Sequence, residues 1–210
     1  EPYSHNVGTC YRCHNDVEPL ISAQWFVKME PLAKEALRVV NEGEVKFVPE
    51  RFSKTYTNWM ENCHDWCISR QRRWGLPIPV VYCKDCGKPV CTDETIAAIS
   101  DLFGKEGSNA WFDKDPADFL PAGMTCPHCG GKSGFEKETD TLDGWFDSGS
   151  SHFAAMKKDQ GFWPATMYLE GLDQYRGWFQ SSLLTAVGAF GNGAPFKECV
   201  THGWTVDGEG

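Results

Sequence analysis

Ten cysteines are spread along the 210 residues, and three pairs share the Cys-x-x-Cys spacing: Cys10/Cys13, Cys83/Cys86 and Cys126/Cys129. That spacing lets one tight turn aim two thiolates at a single ion, and a tetrahedral zinc needs two such turns. Cys83-Lys84-Asp85-Cys86-Gly87 and Cys126-Pro127-His128-Cys129-Gly130 are each closed by a glycine able to turn the knuckle. Cys83, Cys86, Cys126 and Cys129 are therefore expected to hold one structural zinc, with residues 87–125 inserted between the halves of the site. The alternative is a pair of reduced knuckles without metal. Cys91 is a substitute ligand of less suitable spacing. Cys10 and Cys13 read as half of a second ribbon; His5 or His14 could complete it, but two free thiols in a surface turn is the simpler expectation. Cys63, Cys67 and Cys199 lack metal spacing and are expected to be small buried apolar residues. No charged-then-apolar leader opens the sequence, which makes a disulfide framework the weaker reading.

A second set of polar groups lies near the C-terminus. Thr166-Met167-Tyr168-Leu169 reads as a short strand, Glu170-Gly171-Leu172-Asp173 as a polar turn, and Gln174 to Ala189 as a helix. Tyr175, Trp178, Phe179, Ser182, Leu183, Ala186 and Val187 share one side of that helix, Asp173 is placed to cap it, and Gly191 and Gly193 end it. Lys197–Thr201 follows as a second strand and leads into His202-Gly203. Strand, helix and strand of these lengths imply a right-handed parallel crossover, in which the two strand ends share one edge. Ligands bind at such edges. Glu170, Gly171, Asp173, Gln174, His202 and Gly203 would all lie there. A carboxylate at that edge can hold an ammonium or hydroxyls, and Gly203 would let a flat ring approach the backbone. The plainer alternatives are a solvated Glu170 and a structural His202.

Two further stretches could serve the same edge. Asp140 to Ser151 mixes acidic, aromatic and small residues, as a pocket-lining loop carrying Trp145 would. Residues 64–79 hold Arg70, Arg72 and Arg73 among Trp66 and Trp74, a concentrated basic patch suited to phosphate and base contacts. An arginine–carboxylate network that merely orders a loop explains the same residues.

The elements that must carry these groups are short. Residues 31–42 read as an amphipathic helix with Pro31 in its first turn and Gly43 at its end. Val45–Val48 reads as a strand, Lys54–Asn62 as a helix with Tyr56, Trp59 and Met60 on one side, and Asp93–Phe103 as a helix with acidic residues in its first turn. Hydrophobic residues make up 41% and charged residues 23%, an ordinary globular balance. No apolar run is long enough for a membrane-spanning helix. Lys plus Arg is 20 against 29 for Asp plus Glu, so bulk charge gives no grip on nucleic acid, and any such contact needs a local patch.

Three long motifs carry a family resemblance: Asp143-Gly-Trp-Phe-Asp-Ser-Gly-Ser-Ser-His152, Tyr168-Leu-Glu-Gly-Leu-Asp-Gln-Tyr-Arg-Gly-Trp-Phe-Gln-Ser-Ser-Leu-Leu-Thr185, and Thr201-His-Gly-Trp-Thr-Val-Asp-Gly208. They resemble the isoleucyl-tRNA synthetases of class I. Asp65-Trp-Cys-Ile-Ser-Arg-Gln-Arg-Arg-Trp-Gly75 is similar to the same family and to its valyl and leucyl relatives. Glu170, Asp173, Gln174 and Trp178 favour the isoleucyl branch over the valyl one. The resemblance implies an α/β fold: the second half of a Rossmann-type parallel sheet with an inserted zinc-ribbon-like subdomain. It implies four parts. Residues 1–64 would connect from an editing insertion; 65–82 and 131–164 would flank the active site. Residues 83–130 would bind zinc, and 165–210 would form the βαβ unit. The chain would be an internal piece ending before the family's Lys-Met-Ser-Lys-Ser loop and lacking its His-Ile-Gly-His motif, so that alone it would not activate isoleucine.

By the same resemblance, Glu170, Gly171, Asp173, Gln174, His202 and Gly203 would hold the aminoacyl-adenylate, His202 and Gly203 facing its adenosine. Trp145 and Trp178 would wall the amino-acid side-chain pocket, and Arg70 with Trp74 would lie near the tRNA acceptor end. No residue here would act as a nucleophile. The parent enzyme would be a cytoplasmic monomer using isoleucine, ATP with Mg²⁺, and tRNA(Ile). Two tryptophans reject larger side chains but discriminate poorly against valine; the limit of about 1–3 kcal/mol for one methylene is known from this family itself. A stand-alone zinc-ribbon module binding nucleic acid, and an unrelated nucleotide-binding α/β enzyme, are the competing readings. The latter would need a glycine-rich phosphate loop after a strand, which the sequence does not contain.

Overall fold

The computed structural model describes residues 2–159, 161–191 and 193–210, and the first 25 of these positions are almost entirely irregular. Regular structure opens with β1 (Phe26–Val27) and α1 (Met29–Asn41). Ala33, Ala36, Val39 and Val40 recur at helical spacing and are buried, while Glu30–Lys34 and Glu35–Arg38 ion pairs stay outside. Gly43, at φ 79°, turns the chain out of this helix into β2 (Lys46–Val48). Next come α2 (Phe52–Glu61), β3 (Trp66–Cys67) and β4 (Ser69–Arg70). Tyr56 and Met60 face inward from α2, as their spacing predicts.

The insertion begins at β5 (Val81–Cys83) and β6 (Pro89–Val90). It continues through α3 (Asp93–Glu106), α4 (Ala110–Asp113) and α5 (Pro116–Phe119) to β7 (Phe135–Lys137). Thr92 starts α3 with a reciprocal cap: its hydroxyl accepts from the Thr95 amide, and the Thr95 hydroxyl accepts from the Thr92 amide. The strands make a small antiparallel sheet in the order β6-β5-β7. Trp111 fills the space beneath it, fully buried among Val81, Val90, Ile99, Leu120 and Phe135, with Phe103 and Phe119 against its ring.

The chain then returns through β8 (Thr141–Leu142), which pairs with β4, to α6 (Gly144–Gly149). After a wide helical turn come β9 (Ala165–Gly171), α7 (Trp178–Thr185) and β10 (Phe196–His202). β2, β10 and β9 form one parallel sheet in that order. Tyr168, Phe196, Cys199 and Phe47 join the core formed with α1, α2 and α7. Tyr175 sits at its centre, edge-on to Phe47, Phe52, Tyr56 and Trp59. Its hydroxyl is 2.7 Å from the Thr201 hydroxyl.

The structure corrects three expectations. Gln174–Ala189 is not one helix. Leu172–Arg176 is a tight 3₁₀ turn, the chain breaks at Gly177, and α7 starts at Trp178. Asp173 does not cap it; the Gln174 side-chain oxygen accepts from the Trp178 amide at 2.8 Å and takes that role. Glu170 and Gly171 belong to the strand, not to a turn, because β10 pairs with them to the end. Finally, the stretch around Trp145 is not a loop. Asp143 caps a short helix there by accepting from the Trp145 amide. Among the described residues no helix is long and apolar enough to cross a membrane.

Candidate functional site

The four insertion cysteines converge. Their sulfurs all lie within 4.8 Å of one another, with Cys83–Cys129 and Cys86–Cys126 each 3.8 Å apart. A tetrahedron with metal–sulfur bonds of about 2.3 Å has edges of about 3.8 Å, so the spacing suits a tetrathiolate ion. Each knuckle is the same turn. Gly87 and Gly130, at φ 68° and 70°, return their amides to the carbonyls of Cys83 and Cys126. The amides of Asp85 and His128 point at the first sulfur of each turn, at 3.4 Å. Burial works against ionisation of Cys126. The amides of His128 and Cys129 and the neighbouring thiols outweigh it and draw that thiol down to about 6. The Gly131 amide pulls Cys129 down too, but burial and the protons shared with Cys86, Cys126 and Cys83 push it up to about 12. Cys91 is outside the cluster and exposed.

The first pair repeats this turn without partners for a full site. His14, at φ 60°, stands where the other knuckles have glycine, and its amide bonds the Cys10 carbonyl at 2.8 Å. Amides of Cys13 and Arg12 hold the Cys10 thiol below its ordinary value. Among the described residues no third ligand joins it.

At the parallel edge, β9 and β10 run together to their ends, with Thr201 opposite Glu170 and His202 opposite Gly171. A Cβ placed on Gly171 would meet Asp173 Oδ1 at 2.7 Å and His202 Cε1 at 3.5 Å. Gly171, Asp173 and His202 are thus neighbours, while Glu170, Asp173, His202 and Gly203 are exposed. Gln174 lies beside them, donating to Asp173 at 3.1 Å while capping α7.

The two tryptophans stand on α6 and at the start of α7. Trp178 is stacked flat on Tyr168, ring centroids 4.0 Å apart, and its indole N–H donates to the Ser148 carbonyl at 3.0 Å. Trp145 is 44% exposed, and its ring abuts Gly177.

Arg70 and Trp74, both expected near the tRNA acceptor end, differ in their surroundings. Arg70 is drawn inward by Asp143, which it meets at 2.6 Å, and by the carbonyls of Cys67 and Ser69. This is the loop-ordering network that composition alone allowed. Trp74 is 96% exposed, beside exposed Arg72 and Arg73.

Arg70 lines a cavity of about 600 Å³ that also exposes Trp59, Trp66, Trp145, Arg176 and Gln180. None of Glu170, Gly171, Asp173, Gln174, His202 and Gly203 lines it, whereas Trp145 and Gly177 do. Cys63 and Cys67 are half-buried in its wall, and only Cys199 is the buried thiol expected of all three. Asp143 is the residue that sequence reasoning passed over. Its oxygens hold the Trp66 indole, Arg70 and the Trp145 amide together. An Asp directly before Gly-Trp is the capping signal that marks it.

A three-stranded parallel sheet covered by helices and a four-cysteine insertion define an α/β domain. Residues 9–210 match the family of class I tRNA synthetases (I, L, M and V), and the chain belongs to that family. Within it the similarity is to proteins named isoleucine--tRNA ligase. Those of Caldicellulosiruptor saccharolyticus and Caldicellulosiruptor bescii are each 52% identical over the whole chain, and that of Caldanaerobacter subterraneus subsp. tengcongensis is 49% identical over 99% of it. The chain spans 22% of the length of each of these relatives. Among solved structures, the ternary complex of Agrobacterium radiobacter K84 agnB2 LeuRS with tRNA and LeuAMS is 26% identical. It covers 70% of this chain and 20% of that one, with a TM-score of 0.43.

Proposed function

We propose that the chain is the part of an isoleucine–tRNA ligase that binds isoleucyl-adenylate, the second half of its Rossmann-type catalytic sheet. The carrying observation is the parallel register of β9 and β10, which brings Gly171 and His202 side by side at one strand edge. There Glu170 and Gln174 address the polar groups of the aminoacyl part, Gly171 and Asp173 line its approach, and His202 with Gly203 faces the adenosine. Trp145 and Trp178 wall the isoleucine side chain. Catalysis by these residues is positioning: they hold the isoleucine carboxylate where it can attack the α-phosphate of ATP and displace pyrophosphate, and later hold the resulting acyl-phosphate anhydride while a tRNA hydroxyl displaces AMP. ATP with Mg²⁺, isoleucine and tRNA(Ile) are the substrates and ion of the whole protein, a cytoplasmic monomer.

Arg70 is engaged with Asp143, so it shapes the cavity wall, while Trp74, Arg72 and Arg73 offer the exposed surface for the acceptor end of tRNA. Cys83, Cys86, Cys126 and Cys129 would hold a zinc ion whose contribution is structural, tying β5 to the loop before β7. Amino-acid-dependent pyrophosphate exchange by the full-length protein of the parent gene tests the reading. Isoleucine should be the preferred substrate over leucine, methionine and valine; preference for another amino acid, or no exchange, overturns it.

A further inference from the structure

Both tryptophans of the proposed wall take their positions from one short helix, α6, and α6 takes its own position from Gly149. Trp145 is on its first turn. Trp178 is tied to it from α7 by the indole bond to the Ser148 carbonyl. The next carbonyl, of Gly149, accepts from the Thr185 hydroxyl at 2.8 Å. Two successive carbonyls at the end of α6 therefore lie within reach of side-chain donors of α7, although the Thr185 hydroxyl also has the carbonyls of Ser181 at 2.9 Å and Ser182 at 3.1 Å in its own helix. That docking requires the helices to touch. A Cβ on Gly149 would lie 2.9 Å from the carbonyl carbon, the Cβ and the oxygen of Ser181. This is roughly 0.6–1 Å inside the ~3.5–4 Å of ordinary carbon contact. Two of those three atoms are backbone, so no side-chain rotation relieves the clash.

Behind the contact, Thr185 is held in place. The Trp163 indole donates to His152 Nδ1 at 3.1 Å, which leaves the proton on Nε2, 3.2 Å from the Thr185 hydroxyl. The Thr185 proton is then shared among carbonyls, of which that of Gly149, at 2.8 Å, is the nearest. At the other end of α6, Asp143 fixes the start of the helix to Arg70 and Trp66.

We infer that Gly149 is a specificity-determining positioning residue: by admitting the α7 backbone it sets the spacing of Trp145 and Trp178, and so the depth of the side-chain pocket. This rests on the proposed role of the two tryptophans. Widening the pocket removes contacts from the larger isoleucine before it removes them from valine.

The test is pyrophosphate exchange by the full-length protein carrying Gly149→Ala, with isoleucine and with valine, alongside thermal melting. The expected result is a loss of about 10–100-fold in kcat/KM for isoleucine carried by KM, the scale of a displacement approaching 1 Å. KM for ATP stays unchanged and the isoleucine-to-valine preference falls. A folded variant with unchanged KM and preference overturns the inference. Should Gly149→Ala fail to fold, Thr185→Val decides, since it removes the hydroxyl bond without bulk: a smaller change in the same direction supports the inference, and none overturns it. Trp145→Ala and Trp178→Ala separate the two levels. If they leave the isoleucine KM untouched, the wall reading itself fails. If they raise it while both Gly149→Ala and Thr185→Val do not, this inference alone falls.

Discussion

The insertion around Trp111 and the parallel sheet around Tyr175 each bury a large aromatic centre, yet they stand on different supports. The insertion has three short strands, a small apolar cluster and, at one corner, four thiols close enough together to hold a metal ion. The sheet has a core drawn from α1, α2, α7 and three strands, with five aromatic rings meeting at Tyr175. A region with little apolar surface depends on a point fastening, whereas a region with much depends on none in particular. The same contrast separates their roles: the insertion has no residue at the strand edge, and the sheet supplies most of it.

Removing one of the proposed metal ligands should give the largest effect. Cys126→Ser, followed by hydrogen exchange, should strip protection from 81–137 while leaving 165–171 and 196–202 protected. Equal loss in both would mean that the regions are not separately supported. Trp111→Ala should cost the insertion about 3–5 kcal/mol, the usual price of emptying a fully buried aromatic site. Under denaturant it should split one transition into two.

Lys137 provides a subtler probe. Its ammonium donates to the carbonyls of Trp111 at 2.5 Å and Lys114 at 2.6 Å, closing the end of α4. Lys137→Met should destabilise the insertion by about 1.5–3 kcal/mol, as hydrogen bonds to a charged group do. Tyr175→Phe is the counterpart in the sheet. It removes the bond to Thr201 and should cost about 1 kcal/mol there, with no change around Trp111.

The smallest effect lies at the junction. Glu138 accepts from the indole of Trp25 at 2.8 Å, the Tyr82 hydroxyl at 2.5 Å and the amides of Thr139 and Asp140. Burial would raise its pKa, but the Tyr82 hydroxyl, the Asp140 amide and the other donors outweigh it and hold it below the usual carboxylate range. A carboxyl whose folded pKa is depressed stabilises above its unfolded pKa and loses that contribution as pH falls through the folded one. Acid should therefore loosen the junction, and Glu138→Gln should flatten that pH dependence in a thermal melt.

What was legible in the sequence follows the same division. The knuckles are local: two cysteines and a glycine within five residues dictate the turn wherever it lies. The strands β9 and β10 were legible because two apolar runs flank a helix-length segment, which leaves parallel pairing as the simple solution. The break at Gly177 was not, because periodicity carries on through it. What stops the helix is the Gln174 side chain taking the Trp178 amide, a three-dimensional event. Nor was α6. Six residues are too few for a periodic signal, and the helix exists because Asp143 caps it and α7 accepts its end. The cavity beside Arg70 was hidden for the same reason. Its walls come from residues near 29, 59–70, 143–145 and 176–184, which only the fold brings together.

The most direct measurement is isoleucine-dependent pyrophosphate exchange by the full-length protein carrying Glu170→Ala. A carboxylate that holds a charged or hydroxyl group of the bound adenylate contributes about 1.5–3 kcal/mol, so kcat/KM should fall by about 10–100-fold with the fold intact. An exchange rate equal to that of the unaltered protein would mean that the acidic end of β9 never meets the substrate.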